Sequence, residues 1–305
     1  MYKFEDLVWE FMYDCEIRKL TKQTLRGYRN QLLYFNKFLL SKDIIYLEDV
    51  TTQVIKMYIN MQVQKGLKAT YLNTGIKVLK VFYKWVIVEE YALPNNDPTI
   101  KIRFVSGDKP LIQTFNNEEV KGMMNAYKGS SFLELRNKAI MALLFDTGVR
   151  NSEICNLSID AVKDNYLLIW GKGNKERVVP KSAYLSKALV RYERARNDYF
   201  ELRPCDETRY FLSRTGKPLT VASIERVVEF AGKFAGVRPE IRCSPHTCRH
   251  YYAQSQLLNG NDMYTISRLL GHSNISITKT YIQSIRDEEV INKAIEFSPL
   301  MKLKG

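Results

Sequence analysis

The sequence has few cysteines, and their number and spacing exclude several common architectures. Five cysteines occur in 305 residues, and no two of them form the C-x-x-C pair typical of zinc or redox sites. A disulfide framework is therefore not expected, and sparse free thiols are typical of a reducing cytosol. His246 and His250 with Cys243 and Cys248 leave a zinc site as an alternative, although no clear set of four ligands emerges.

Two motifs that define large enzyme classes are also missing. The sequence contains no G-x-x-x-x-G-K-[ST] loop for nucleotide phosphates and no G-x-S-x-G elbow for a hydrolytic serine. Long apolar stretches are absent too, because four charged residues interrupt the most apolar run, residues 78–93. Acidic residues near the N-terminus exclude the apolar core of a signal peptide. We therefore expect neither a P-loop enzyme nor a membrane-spanning protein.

Positive charge is what the sequence has in excess. The formal net charge is +13 and the isoelectric point is near 9.4, which indicates a polyanionic partner such as nucleic acid. Residues 1–100 contribute +3 (14 basic, 11 acidic) and residues 101–305 contribute +10 (32 basic, 22 acidic). Solubility alone is the alternative explanation. The length of 305 residues, 45% of them hydrophobic, favours two globular domains.

The first hundred residues have the pattern of helices. Apolar residues recur at helical spacing in four segments, which begin near residues 4, 21, 51 and 70. Thr21 and either Thr51 or Thr52 are suitable N-caps, and Gly66 is a suitable end for the third helix. Four such helices predict a compact bundle. Basic residues on their outer faces could contact phosphates, although a solvated helix face explains the same pattern.

A break between residues 91 and 111 separates two predicted domains. Three prolines and a glycine lie there without apolar periodicity, as is typical of a linker. We predict a helical domain over residues 1–98, a linker over 99–114 and an α+β domain over 115–305. The predicted fold is mainly α with a small antiparallel β-sheet in the second domain.

A sharp turn in the second domain presents an arginine. Gly148 permits a tight break between two helices, and we expect Arg150 to be the first residue of the second one. Such a position holds the backbone and aims the side chain. Glu153 lies one helical turn later, where its carboxylate can orient the guanidinium of Arg150.

Two β-prone runs flank a glycine-rich turn a little further along the chain. Residues 166–170 and 176–180 are rich in branched and aromatic side chains and predict an antiparallel hairpin. We expect its tip to carry Lys172, Lys175 and Arg177. A lysine between two glycines can approach a backbone closely and deliver its ammonium group.

All three histidines of the chain lie close together, and two of them share a predicted helix. Ser244 is suited to cap this helix and Pro245 to open it. His246 and Arg249 then share one face, and His250 lies one turn from His246.

The third histidine and a tyrosine follow. Apolar spacing predicts a short helix over residues 263–270, which Gly271 ends, so His272 lies just beyond a helix end. Tyr281 closes the stretch. Purely structural roles for these residues remain the alternative when the stretch is considered alone.

Taken together, five strings of the second domain resemble the tyrosine recombinase superfamily, which includes phage integrases and Xer-type recombinases. The strings occur in the order and at the spacing of that family: TGVRNSE (147–153), GKGNKER (171–177), HTCRH (246–250), LLGH (269–272) and TY (280–281). The length also resembles that of the short Xer-type members. The first domain resembles the family only in its helical pattern.

The resemblance implies a site-specific recombinase or integrase that cleaves and rejoins DNA through a 3′-phosphotyrosine intermediate. Tyr281 would be the nucleophile, and Arg150 and Arg249 would bind the non-bridging oxygens of the phosphate. Arginine suits this task because its planar guanidinium is always charged and can donate two parallel hydrogen bonds. Lys172 would protonate the leaving 5′-oxygen, with Lys175 as the alternative, because lysine can release its proton.

The remaining roles follow from the same resemblance. His246 would act as base or acid at the tyrosine, and His272 would donate a hydrogen bond to the phosphate. Glu153 and His250 would support these residues. No metal or nucleotide cofactor is implied, because the phosphotyrosine bond stores the energy of the cleaved one.

Partners and place of action are implied as well. The helical domain would bind core DNA and the second domain would be catalytic. The expected partner is double-stranded DNA with inverted-repeat core sites, bound by a homo-tetramer. An amphipathic segment over about 287–297 would be exchanged between protomers. The expected location is the cytoplasm, in association with the nucleoid. A type IB topoisomerase and a non-catalytic DNA-binding protein are the alternatives.

Overall fold

The structure is a computed structural model of the chain. It describes residues 1–107, 113–171, 176–203, 205, 207–272 and 278. The chain divides into two compact units, Met1–Lys109 and Pro110–Gly305. Within the described residues, no helix is both long enough and apolar enough to cross a membrane.

Four helices make up the first unit, as the apolar spacing predicts. They are α1 (Phe4–Ile17), α2 (Lys22–Leu40), α3 (Thr52–Gln64) and α4 (Ala69–Val88). Thr21 caps α2 and Thr51 caps α3, since each hydroxyl oxygen accepts a hydrogen bond from a backbone N–H in the first helical turn. Helix α4 packs against the other three. The predicted bundle is therefore confirmed.

The core of the first unit is built largely from aromatic rings. Phe4, Phe11, Phe35 and Phe82 are fully buried. The ring centroid of Phe82 lies 5.2 Å from that of Phe4 and 5.5 Å from that of Phe11. Aromatic side chains each remove a large apolar area from water, so these rings supply much of the stability of a small bundle.

Residues 99–105, which belong to the predicted linker, pack on the first unit. Ile102 is buried in the core of that unit. The side-chain amide of Asn73 donates to the carbonyl oxygen of Val105 at 2.9 Å and accepts from its N–H at 2.8 Å. These contacts hold the chain against α4 for several residues after the helices end. The limits of the two domains stay a prediction.

The second unit combines seven helices with one β-hairpin in its described residues. The helices are α5 (Asn117–Met124), α6 (Phe132–Thr147), α7 (Asn151–Asn156), α8 (Ala183–Glu201), α9 (Val221–Ala235), α10 (Pro245–Leu258) and α11 (Met263–Leu270). The hairpin pairs β1 (Tyr166–Trp170) with β2 (Glu176–Pro180), antiparallel and with Ile169 opposite Arg177. The predicted fold, mainly α with a small antiparallel sheet, is confirmed.

Helix α6 runs through the middle of the second unit. Six consecutive residues, 139–144, are buried. Such a run requires neighbours on every side, because successive residues of a helix point in different directions. Those neighbours are α5, α8, α9 and α10. Thr147 at the end of α6 is also buried, so the residues that follow it start from the interior of the unit.

Candidate active site

A tight turn after α6 brings Arg150 to the surface of the second unit. Gly148 ends α6 with a φ of +60°, and a Cβ atom there would come within 2.5 Å of the Tyr252 ring. Only glycine fits this position without strain. Arg150 is the N-cap residue of α7, with extended backbone, rather than its first helical residue. The predicted break is confirmed, and the helix begins one residue later than predicted.

Glu153 holds Arg150 in two ways. One carboxylate oxygen accepts from the backbone N–H of Arg150 at 2.7 Å, and the other accepts from its Nη1 at 2.9 Å. The side chain of Glu153 is 4% exposed, whereas that of Arg150 is 39% exposed. The predicted contact is therefore present, and it leaves part of the guanidinium in solvent.

A second arginine, Arg177, binds the same carboxylate. Its Nη1 and Nη2 atoms donate to the two oxygens of Glu153 at 2.8 and 2.7 Å. Burial would raise the pKa of Glu153, but the hydrogen bonds and charges of Arg177 and then Arg150 hold that pKa below its usual value. Glu153 is thus an ionised, buried carboxylate that joins two arginines.

Arg249 on α10 is buried, and its guanidinium donates to two backbone carbonyl oxygens and to a histidine. Its Nη1 donates to the carbonyl oxygen of Gly148 at 2.7 Å, and its Nη2 donates to that of Leu270 at 2.7 Å. The same Nη2 lies 2.8 Å from Nε2 of His272. A guanidinium has no acceptor, so Nε2 of His272 accepts this hydrogen bond.

This geometry fixes the tautomer of His272. Because Nε2 is an acceptor, Nδ1 carries the proton and donates to Oγ1 of Thr278 at 2.8 Å. Burial, then the charges of Arg249 and Arg150, lower the pKa of His272 to about 4. The ring is therefore neutral at pH 7, with its acceptor nitrogen directed at Arg249.

The turn at the end of α11 joins these residues. Gly271 ends the helix with a φ of +66°. Leu270 accepts from Arg249, and the carbonyl oxygen of Gly271 accepts from Nη2 of Arg150 at 3.2 Å. The C-terminal carbonyls of a helix carry partial negative charge, which favours nearby cations. Arg150, Arg249 and His272 are thus brought together by a single turn.

His246 and His250 lie on the same helix as Arg249. Ser244 and Pro245 cap and open α10, as predicted. His246 is exposed and His250 is buried, and their ring centroids are 4.2 Å apart with an edge contact. Partial burial of the ring, then Arg249 and Arg242, lower the pKa of His246. Burial and then His246 lower the pKa of His250 to about 3.

Three predicted site residues lie outside the described residues. They are Lys172, Lys175 and the predicted nucleophile Tyr281. The amphipathic segment over 287–297 lies outside them as well. The two lysines belong to the connection between β1 and β2, whose predicted pairing is confirmed.

Arg177 is the residue of this site whose position sequence reasoning missed. It lies in β2, within the predicted second β run, but the expectation that it belongs to the exposed tip is wrong, because its side chain is only 10% exposed. Alternate residues of a strand face the same side. Arg177 therefore shares a face with Val179, which is fully buried. This alternation is the signal that could have assigned Arg177 an inward direction.

The described part of the chain shows no further zinc ligands beside His246, His250, Cys243 and Cys248. Across those residues, no group of three or more histidine, cysteine, aspartate or glutamate side chains is arranged to hold a metal ion. Cys248 is buried and Cys243 is half-buried, both as free thiols.

Sequence models of known families match both units. The model of the phage integrase family matches residues 113–288. The model of the phage integrase N-terminal SAM-like domain matches residues 13–90.

Curated relatives match along nearly the whole chain. Tyrosine recombinase XerC of Bacillus pumilus is 30% identical over 290 residues, which cover 92% of each chain. Tyrosine recombinase XerD of Staphylococcus aureus is 28% identical over 280 residues, covering 91% of this chain and 93% of that one.

Solved structures share the fold. XerH recombinase bound to a palindromic difH substrate, in a post-cleavage complex, has a TM-score of 0.76 at 22% identity and covers 92% of this chain and 81% of that one. A lambda integrase tetramer bound to a Holliday junction has a TM-score of 0.72 at 18% identity and covers 94% and 78%. At these identities the likeness concerns the fold.

Proposed function

The chain belongs to the phage integrase family and is a site-specific tyrosine recombinase, and from that premise we propose which of its residues cleave and rejoin DNA. The observation that carries the proposal is the convergence of Arg150, Arg249 and His272 on the turn that ends α11. Two guanidinium groups and an imidazole at one point form a binding site for one phosphate group.

Arg150 and Arg249 bind the non-bridging oxygens of the scissile phosphate. Nη1 of Arg150 stays on the Glu153 carboxylate, whereas Nη2 of Arg150 and the donors of Arg249 bind carbonyl oxygens and a neutral imidazole. A phosphate oxygen carries charge, and charge-assisted hydrogen bonds are roughly twice as strong as neutral ones. The phosphate therefore competes well for these donors. Because the donors are already held in place, they stabilise the charge of the transition state with little rearrangement.

His272 changes from acceptor to donor when the phosphate binds. Its Nε2 now accepts from Arg249, so it cannot donate to the phosphate in this tautomer. An anion beside the ring favours the protonated form and raises its pKa from about 4. We propose that His272 takes up a proton at this stage and then donates from Nε2 to the phosphate.

The chemical step is a transesterification. The phenol oxygen of Tyr281 attacks phosphorus, and the bond to the 5′-oxygen breaks. His246 accepts the phenol proton. The lowered pKa of His246 keeps its imidazole neutral, so that it can accept a proton. Lys172 gives a proton to the leaving 5′-oxygen, with Lys175 as the alternative. Attack by another 5′-hydroxyl reverses these transfers and rejoins the strand.

Tyr281→Phe tests this assignment. The variant lacks the attacking oxygen, so it should bind core DNA as the wild type does and form no covalent adduct. A nicked suicide substrate on a denaturing gel measures the adduct. Tyr184→Phe, at an exposed tyrosine of α8, is the matched control and should form it normally. An adduct with Tyr281→Phe would contradict the assignment of the nucleophile.

Two plasmid substrates, used beside the adduct assay, separate recombination from the alternatives. A plasmid with two copies of the core site reports recombination, and a supercoiled plasmid without the site reports relaxation. Recombinant products support the recombinase. Adduct formation and relaxation without recombinants would instead indicate a topoisomerase, and binding without any adduct would indicate a non-catalytic protein.

We further propose a homo-tetramer on two synapsed core sites with inverted repeats, acting in the cytoplasm at the nucleoid. The tetrameric lambda integrase on a Holliday junction and XerH on a palindromic substrate support this assembly by likeness of fold. The segment over 287–297 would join neighbouring protomers. Removal of residues 287–305 should then weaken synapsis more than single-site binding on a native gel. Unchanged synapsis would argue against the exchange.

A further inference from the structure

We propose that Arg177 is a positioning residue that holds the guanidinium of Arg150 and the His272 turn in place for the phosphate. The proposal rests on the roles given above to Arg150 and His272. Arg177 lies on β2, far in sequence from both, and its side chain is 10% exposed. It is therefore poorly placed to contact DNA itself, and it would act through the residues that it binds.

The first set of contacts involves Glu153. Each carboxylate oxygen accepts one hydrogen bond from Arg150 and one from Arg177. The two arginines therefore share the neutralisation of a carboxylate that is 4% exposed. Without Arg177, Arg150 would be left as the counter-ion of a buried charge, which is costly to leave unpaired. Its guanidinium would then be drawn towards Glu153 and away from the phosphate.

The second set of contacts involves the end of α11. Nε of Arg177 donates to the carbonyl oxygen of Leu269 at 2.8 Å. Gly271 rests on the same side chain, since a Cβ atom there would come within 2.9 Å of Arg177 Cδ. The next residue is His272, and the carbonyl oxygens of residues 270 and 271 accept from Arg249 and Arg150. Arg177 thus supports the turn on which the site converges.

All three nitrogens of the Arg177 guanidinium are used in these contacts. Two bind the carboxylate and the third binds the carbonyl of Leu269. The planar group fixes the angle between these acceptors, whereas the ammonium group of lysine is a single point charge. One side chain therefore couples the position of Arg150 to that of the His272 turn.

Arg177→Gln and Arg177→Lys test the proposal in the full-length protein. The measurement is the single-turnover cleavage rate of saturated complexes with three suicide substrates. The first has an ordinary scissile phosphodiester. The second has a methylphosphonate, which lacks one charged non-bridging oxygen. The third has a 5′-bridging phosphorothiolate, whose sulfur leaves without needing a proton.

We expect Arg177→Gln to slow cleavage of the phosphodiester by roughly 10²-fold, as the loss of one transition-state donor does. The loss should shrink on the methylphosphonate, because less charge then needs the arginines. The loss of cleavage rate should persist on the phosphorothiolate, because Arg177 does not act on the leaving group. Arg177→Lys should recover part of the rate, since it keeps the charge without the planar donors.

Arg238→Gln is the matched control. Arg238 also binds both oxygens of a buried carboxylate, Glu119, and donates to the carbonyl oxygen of Thr114. Neither residue lies in the proposed site. Arg238→Gln should lower the melting temperature of the protein. Any change in the cleavage rate should be the same factor for all three substrates.

Four results would overturn the proposal. An equal loss on all three substrates would match Arg238→Gln and indicate a role in stability alone. A loss that disappears on the phosphorothiolate would mean that Arg177 acts through the leaving group. Normal cleavage by Arg177→Gln, with Arg150→Lys impaired, would reject the proposal and leave the proposed function intact. Normal cleavage by both variants would instead count against the proposed function.

Discussion

The two units of this protein bury different kinds of side chain. Among the described residues of the first unit, the buried polar side chains are all uncharged: Asn36, Gln62 and Thr99. The second unit buries Glu119, Glu153, Arg249 and His250. The first unit is therefore held by apolar and aromatic packing, and the second combines such packing with charges taken out of water.

The difference reflects what each unit must do. Moving a charge out of water costs several kcal/mol unless hydrogen bonds and an opposite charge compensate. In the second unit Glu119 is matched by Arg238, and Glu153 by two arginines. This arrangement holds cations in fixed positions, which the proposed phosphate site requires and a bundle held by apolar packing does not.

The strongest test of this contrast is Arg150→Lys. We expect cleavage of bound DNA to fall roughly 10²- to 10³-fold, because a lysine cannot reproduce the planar donors. Binding should be retained. Cleavage of a suicide substrate at saturating protein measures the effect.

Arg29→Lys in the first unit is the control for that experiment. The Arg29 guanidinium lies 5.9 Å from the centre of the Trp9 ring, and Arg29 is not one of the predicted catalytic residues. The Arg29→Lys variant should alter at most the salt dependence of DNA binding. Normal cleavage by Arg150→Lys would remove the distinction between the two units.

Phe82→Ala tests the packing side of the comparison. Phe82 is fully buried and contacts four other aromatic rings. Its truncation should lower the free energy of unfolding by about 3–5 kcal/mol, whereas Phe82→Leu should lose less because it keeps most of the volume. Chemical denaturation measures both. The cleavage rate of saturated complexes should stay unchanged, and a slower rate would mean that the first unit shapes the active site.

The smallest expected effect is a difference in pH dependence. The pKa of His272 is about 4 and that of His250 about 3, both below the ordinary value of 6.5. The unfolded second unit therefore binds protons more readily than the folded one. The contribution of these two histidines to its stability is complete above pH 6.5 and is lost as the pH drops towards 4. The first unit has no histidine. The pKa values of its Cys15, Tyr58 and Tyr91 side chains are raised, so these groups titrate only above neutrality.

Hydrogen exchange followed by mass spectrometry measures each unit within the intact chain. Protection factors, corrected for intrinsic exchange, should fall between pH 7.5 and 5 in peptides from residues 245–272. Peptides from α1 to α4 should keep their protection. Equal losses in both units would show that the histidines are not responsible.

Local chemistry made much of the fold predictable. Thr21 and Ser244 begin helices because their side-chain oxygens accept N–H groups that the first turn leaves unpaired. Gly148 and Gly271 end helices because a positive φ suits glycine. The hairpin follows from two short β-prone runs around a turn. Each of these signals acts over a few residues, so one sequence is enough to see it.

The contacts that assemble the site were not predictable in the same way. Arg177 was expected at a hairpin tip but binds Glu153, 24 residues earlier. Arg249 donates to the carbonyl of Gly148, 101 residues away. The direction of the His272 hydrogen bonds depends on which donor faces each nitrogen. No local pattern encodes such partners, because they depend on how helices and hairpin pack.

The sequence by itself determined the family, the helical bundle, the small hairpin and which residue types are available for phosphate chemistry. These depend on spacing along the chain and on the intrinsic chemistry of each side chain. Only the tertiary structure decided that Arg150, Arg249 and His272 meet at the end of α11, and that Arg177 supports them from β2. The physical reason is that a buried charge is stable only where the fold brings its partners within hydrogen-bonding distance.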